Sequence, residues 1–525
     1  MQVSSSIFSC FVDCAKNKDV TKIEYYNKKF SVRETISCAL KVGGYLESKG
    51  YKGKSVGIML PNIPEAIFTL YGCSAIGSIA NLINPRIPSA KLKSLLETTN
   101  TKVIFLYDAL YERHKAVFEE LGVEVVLCSP FYYRAILKPV YNLLSLKNKG
   151  LYFEKLLSYK ECEPISTDGT EAVAYIHSGG TTGEPKTVIL SSYALNSLAQ
   201  SILTTVHPEK TYDEKRDAML MMLPIFHGFG LGVCAHTIAC ACRIILQPRF
   251  VPTESVRLIK KHKVTHIAGV PAMYRKMLSV KALYDGRLKG ITNAFSGGDS
   301  LSSSVKESFD LALKKAGSSA EVVEGYGLSE TASVVTVGKK GATKPHSQGK
   351  ALYGNEIRIF EEGKELNPNE IGEIYLHTPS LYSGYVGEKE MVNVVEIDGK
   401  PFLATGDLGY LDEEGRLYYK ERRKRSIKIG AINIFPQEIE RVVRELDEVV
   451  ECCAVRKYNE KGKPYIKLHL ELSEGVTLNS QLEGKIAKKV EREIVRYAVP
   501  REFCSEKTIK RTAMGKIDYN FYEKN

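Results

Sequence analysis

The chain has 525 residues, more than one hydrophobic core comfortably serves, so two or more domains are expected. Hydrophobic residues make up 44% and charged residues 26%, which excludes a disordered tail protein and a multi-span membrane protein. The net charge of +12, from 73 basic and 61 acidic residues, suits phosphorylated ligands or an anionic surface; no recognition motif supports nucleic acid as a partner.

In chain order, residues 31–50 read as a helix opened by Ser31 with Glu34 three positions on, the pattern of a capping box. Short apolar runs at 56–60, 79–83, 103–106 and 123–128 then alternate with helical patterns at 62–76, 88–97 and 111–121. That rhythm predicts a parallel sheet with helices on its faces. Residues 129–159 break it with an aromatic and basic stretch, read as a packed excursion between subdomains or, alternatively, a peripheral membrane contact. A strand is predicted over 172–176 and a helix over 193–205. Residues 218–242 carry no Asp, Glu, Lys or Arg over 25 positions. Pro224, His227, His236 and glycines 228, 230 and 232 interrupt that run, so it reads as strand, loop and core helix rather than a bilayer span. A second α/β series covers 244–280, alternating β signals cover 356–385, and the charged stretch 420–428 opens a small C-terminal α/β domain.

Twelve cysteines show no framework spacing and no paired C-x-x-C, so zinc is not expected and a reduced cytosol is. The N-terminus lacks the basic region and long apolar core of a signal peptide, which also points to a cytoplasmic protein.

The stretch YIHSGGTTGEPKT (175–187) has the composition of a phosphate cradle. Gly179, Gly180 and Gly183 permit close backbone approach, Ser178, Thr181 and Thr182 add hydroxyls, and Lys186 adds a mobile positive charge. It departs from the Walker loop: Pro185-Lys186-Thr187 and β-branched residues follow, so strand–loop–strand is expected instead of strand–loop–helix. Five further segments stand out: LPIFHGFG (223–230), Gly297-Gly298-Asp299, EGYGLSET (324–331), Thr405-Gly406-Asp407 and RTAMGKID (511–518).

These segments, in this order and over nearly the whole chain, resemble the core motifs of the adenylate-forming superfamily, which includes acyl-CoA synthetases, firefly-type luciferases and peptide-synthetase adenylation domains. The resemblance implies an α/β fold with a large N-terminal part (1–423) of two α/β subdomains plus a β-barrel, and a small mobile C-terminal α+β lid domain (424–525). It implies that a carboxylate attacks the α-phosphate of ATP, releasing pyrophosphate, and that a thiol, usually that of coenzyme A, then captures the acyl-adenylate. By the same resemblance Ser178, Gly179, Gly180, Thr181, Thr182, Gly183 and Lys186 hold the β- and γ-phosphates, and Glu330 with Thr181 holds Mg²⁺. Ser329 stands where a phosphate-touching threonine is common. Tyr326 and Gly327, with Gly297, Gly298 and Asp299, flank adenine; Asp407 and Arg422 hold the ribose. Lys516 approaches the carboxylate and α-phosphate, and His227 borders the acyl pocket. Lys424 is the hinge, and Lys428 and Gly430 face the thiol tunnel after the lid turns. Simpler readings remain open for three of these: Asp407 as a turn residue, Glu330 as a helix-terminal charge, and His227 as a core histidine.

Three positions depart from the pattern. Thr187 replaces a glycine after the loop lysine, Ala431 replaces a glycine along the pantetheine path, and Glu421 replaces the usual Asp before Arg422. The leading expectation is an ATP-dependent acyl-CoA synthetase acting on a fatty or aryl acid. The alternatives are a stand-alone enzyme that loads a carrier-protein phosphopantetheine, and a nucleotide-binding scaffold with decayed catalysis. Retention of Lys186, Glu330, Asp407, Arg422 and Lys516 together argues against the scaffold.

Overall fold

The computed structural model describes the chain except residues 1–2, 16, 18, 134–138, 140–149, 178–185, 207–212, 214, 240–241, 389–390, 430–431, 461, 513–515 and 525. The expected alternation gives a parallel core of strands Glu124–Cys128, Val103–Tyr107, Ser55–Met59 and Ile79–Leu82. Helices Pro64–Ala75, Ser89–Thr98 and Tyr111–Leu121 make the returns. Leu151–Tyr152 and Ala172–His177 extend this sheet in parallel, and Thr187–Ser191 ends it antiparallel, for seven strands. Helix Val32–Ser48 starts as the sequence predicts. The Glu34 N–H donates to Ser31 Oγ at 3.1 Å, and the Ser31 N–H donates to Glu34 Oε2 at 2.7 Å.

A second sheet of nine strands stands beside the first. Its centre is six parallel strands in the order Thr21–Tyr25, Arg243–Leu246, Ala218–Met221, His266–Gly269, Asn293–Ser296 and Val322–Gly327. Antiparallel strands cover both edges. Side chains of the two sheets meet in one hydrophobic cluster, and helix Pro64–Ala75 within it is buried on every face. The uncharged run resolves as strand Ala218–Met221, a loop and helix Gly228–Ala239. A Cβ on Gly230 would lie 2.0 Å from the Pro224 carbonyl oxygen, and one on Gly232 would lie 2.5 Å from Ser333 Cβ. Those contacts explain the glycine spacing: the helix start is pressed against its own loop and against residue 333. Among the described residues no helix is long and apolar enough to cross a membrane. Most of the aromatic and basic stretch falls on 134–138 and 140–149, outside the described residues. The part that follows is a short 3₁₀ turn, Phe153–Ser158, anchored by buried Phe153 and Leu156.

The β-rich segment expected as a barrel forms a six-stranded antiparallel sheet that ends with strands Lys400–Leu411 and Leu417–Arg422. Beyond Arg422 come a hairpin, Ile427–Ile429 with Ile432–Ile434, and a three-stranded sheet with helices Pro436–Arg444 and Ser480–Glu493. These share a separate core, including Ile427, Val442, Leu468 and Ile486.

Candidate active site

The carboxyl ends of the parallel strands in the nine-stranded sheet open into a cavity of about 1420 Å³, the place where open α/β sheets bind ligands. Its wall brings together His227, Gly297, Gly298, Asp299, Tyr326, Gly327, Ser329, Glu330, Asp407, Arg422 and Lys516, which lie up to 289 positions apart along the chain. Ser178, Gly179, Gly180, Thr181, Thr182, Gly183 and Gly430 lie outside the described residues. Lys186 and Lys428 are exposed and do not line the cavity.

Antiparallel pairing places Asp407 directly opposite Arg422, which is why residues fifteen positions apart act as one unit. Gly406 supplies the left-handed turn, φ 71°, that aims the aspartate inward. The Tyr326 hydroxyl donates to Asp407 Oδ2 at 2.6 Å, and Arg422 Nε lies 2.9 Å from Oδ1. Oδ1 is buried, and beyond this ion pair it accepts no hydrogen bond among the described residues. Burial pushes the Asp407 carboxyl above its ordinary value, against the pull of the Arg422 charge. A buried, charge-supported oxygen with spare acceptor capacity fits a ligand hydroxyl. The Tyr326 ring packs on Tyr419 at 5.8 Å with 29° between planes, so its neighbour on that face is already set.

Glu330 sits in the 3₁₀ turn Ser329–Thr331, and the next residue, Ala332, is held at φ 59° and is fully buried. A non-glycine residue in that region costs roughly 1–3 kcal/mol and marks a turn fixed by its surroundings. The Tyr385 hydroxyl donates to Glu330 Oε1 at 2.9 Å. Lys186 Nζ lies 4.5 Å above the same Tyr385 ring and 2.8 Å from Glu388 Oε1. Tyr385 therefore couples the loop lysine to the acidic turn. Neither Tyr385 nor Glu388 stands out in the sequence, where they read only as part of a turn-rich β segment. Among the described residues no group of three or more His, Cys, Asp or Glu side chains could cage a metal. A lone carboxylate such as Glu330 suits an ion whose remaining ligands are phosphates and water.

Residues 178–185 are flanked by strands on both sides, as the β-branched residues after Lys186 predict, and these two strands pair antiparallel. His177 and Thr187 face each other across them, with Nδ1 3.0 Å from the Thr187 hydroxyl. Asn81 Nδ2 donates to Thr99 and Thr101, which leaves its Oδ1 to accept from His177 Nε2 at 2.8 Å. The imidazole is thus neutral with both nitrogens satisfied, and burial pulls its pKa down to about 4.

Lys516 reaches the cavity from the C-terminal part. The Thr512 N–H donates to the Lys516 carbonyl at 2.8 Å, and Arg511 bridges Ile517, so the chain on the two sides of 513–515 is held together beside the lysine. His227 feels it: burial first and then the Lys516 charge lower the His227 pKa to about 4. The lining also carries apolar side chains, Phe226, Phe229, Val233, Met222, Met273 and Phe250, together with the charged Arg249 and Lys276. Glu324, also on the wall, is engaged by the Leu301 backbone and Gln348, and burial raises its carboxyl to about 7.

The family profile described as AMP-binding enzyme matches residues 10–386, and that of the AMP-binding enzyme C-terminal domain matches residues 438–516. The chain is 30% identical to the long-chain-fatty-acid–CoA ligase of Bacillus subtilis, over 96% of this chain and 91% of that protein. Its fold is similar to that of the anthranilate CoA ligase AuaEII in complex with anthranoyl-AMP, with a TM-score of 0.87, 18% identity and coverage of 99% and 97%. It is also similar to o-succinylbenzoate coenzyme A synthetase from Bacillus subtilis in complex with ATP and magnesium ion, with a TM-score of 0.81, 22% identity and coverage of 98% and 98%.

Proposed function

The chain belongs to the AMP-binding enzyme family, and from that premise we propose which of its residues carry out ATP-dependent ligation of a carboxylic acid to coenzyme A. The observation that carries the assignment is the Asp407 carboxylate. Its spare buried oxygen, Arg422 and Tyr326 stand on one wall of the same cavity that Lys516 enters. Asp407 and Arg422 hold the ribose, and Tyr326 with Gly297, Gly298 and Asp299 bounds the adenine. The substrate carboxylate oxygen attacks the α-phosphorus, the bond to the β-phosphate oxygen breaks, and pyrophosphate leaves with that electron pair. Two anions must meet, so the protein's task is to fix geometry and neutralise charge. Lys516 does this at the α-phosphate, and Lys186 with residues 178–183 does it at the β- and γ-phosphates. Magnesium, held by Glu330 with Thr181, would neutralise phosphate charge at that end. In the second step the thiol sulfur attacks the acyl carbonyl carbon, the bond to the AMP oxygen breaks, and the thiol proton passes to solvent.

The apolar side chains of the lining favour a fatty or aryl acid over an amino acid, whose ammonium would need a carboxylate beside it. We place the hinge at Lys424, with the lid running to residue 525. Lys428 and residue 430 meet the thiol after the lid turns about that point. The cysteine pattern supports a cytosolic enzyme. ATP–pyrophosphate exchange with aliphatic, aryl and amino acids tests the assignment. Exchange is expected with an apolar acid and is expected to fall about 100-fold or more in Lys516→Ala, with ATP still bound by the body. Exchange with amino acids alone would favour a carrier-protein loader, and exchange unaffected by Lys516→Ala would contradict the site.

A further inference from the structure

Arg425 follows the hinge lysine by one residue and is nearly buried, its side chain 10% exposed. Its guanidinium points at groups on both sides of the hinge. Nη1 lies 3.1 Å from Glu421 Oε1, on the last strand of the body, and Nη2 lies 3.0 Å from Glu440 Oε1, on the first lid helix. Cζ of the same group sits 3.5 Å from the ring centroid of Tyr519, three residues after Lys516, and the Tyr519 hydroxyl donates to Glu440 Oε2 at 3.1 Å. Glu421, fully buried, also accepts the backbone N–H of Arg422 and that of Gln437, each at 2.9 Å. The chain on the N-terminal side of Lys516 is tied to the same network. Arg511 Nη2 lies 2.6 Å from Glu451 Oε2, Arg444 bridges Glu451, and Arg444 Nη2 lies 3.3 Å from Glu440 Oε2. Both flanks of the lysine therefore hang on one chain of paired charges that is rooted in the body at Glu421.

We propose that Arg425 is a positioning residue for the adenylation half-reaction, strapping Glu421 of the body to Glu440 and Tyr519 of the lid so that Lys516 is held at the cavity. The inference rests on the functional reading above, in which Lys516 serves the first step. The guanidinium suits this place, because its fixed fork of donors meets two carboxylates in different directions while its carbon sits over a ring; a lysine ammonium, a single point of charge on a flexible stem, spans that spread poorly. The strap also has a direction. Glu421 and Arg425 lie on opposite sides of Lys424, so turning the lid about that residue pulls their contact apart. Arg425 thus favours the arrangement for the first step and contributes nothing to thiol capture.

Two variants test this, Arg425→Lys on the lid side and Glu421→Gln on the body side, each with its melting temperature recorded. Exchange is measured with the acid that supports it in the unaltered protein, and thioester formation is measured from that acid's pre-formed adenylate plus coenzyme A. Both variants are expected to lose roughly tenfold or more in kcat for exchange, with KM for ATP held within about threefold, because the adenine, ribose and β- and γ-phosphate contacts stay on the body. Thioester formation from the adenylate is expected to be unchanged or faster. Unchanged exchange in either variant, or an equal loss in both half-reactions, would overturn the proposal. Failure of exchange in the unaltered protein would overturn the functional reading and the strap with it.

Discussion

Asp407 and His177 show how far single residues could be read. Thr-Gly-Asp marks a turn in any sequence; only its place among the other motifs singled it out, and only the strand register shows Arg422 opposite it. Thr187 was legible as a departure from the family pattern, yet its partner was not: the His177 ring fills the position across the strands, backed by Asn81 from 96 positions away. The Tyr385 bridge between Lys186 and Glu330 was equally hidden, because it joins residues about 55 and 200 positions apart through tertiary packing alone. His177 carries a prediction of its own. Its pKa falls from 6.5 to about 4 on folding, so above pH 6.5 the ring is neutral in both states. Between those values the unfolded chain binds a proton that the folded chain refuses, and stability drops as the pH falls, by up to about 3 kcal/mol across the window. Urea titrations at pH 7 and pH 5 are expected to show a smaller difference for His177→Gln than for the unaltered protein. An equal difference would mean that the ring is not buried as described.

Elements were legible where pattern and turn chemistry agree. The Ser31–Glu34 box fixes a helix start, and the helix read over 111–121 is found at Tyr111–Leu121. The uncharged run at 218–242 was legible as strand, loop and helix because its glycines and Pro224 forbid a continuous span. How helix Gly228–Ala239 ends was not legible. Lys22, buried to 1% exposure, donates from Nζ to the carbonyls of Thr237 at 3.0 Å and Cys242 at 2.7 Å, some 215 to 220 positions away. A buried cation at a helix C-terminus meets carbonyl oxygens there and the negative end of the dipole. Lys22→Met keeps most of the volume and removes the charge and its hydrogen bonds to those carbonyls, so a loss of about 2–3 kcal/mol in unfolding free energy is expected by chemical denaturation. A neutral result would mean that water serves the carbonyls equally well.

At the scale of the whole molecule, two α/β sheets and a β-rich layer form the body, and a compact C-terminal part carries Lys516 to the cavity they share. Six ordered motifs made that plan legible, because their residue types and order follow from the chemistry of the cavity rather than from any one element. The relation between body and lid was not legible. It depends on the buried charges Glu421, Arg425 and Glu440: the sequence marks Glu421 only as a departure from the family pattern, and nothing in it pairs that residue with Arg425 or Glu440. If the cavity joins an acid to coenzyme A through an adenylate, AMP and acyl-CoA form together. Quantifying both by mass spectrometry, with ATP, magnesium and a panel of aliphatic and aryl acids, with and without coenzyme A, tests this most directly. Many turnovers of AMP and an equal yield of acyl-CoA are expected for one acid class, and no more than a single equivalent of AMP without the thiol. AMP release that ignores coenzyme A, or no AMP with any acid, would contradict it.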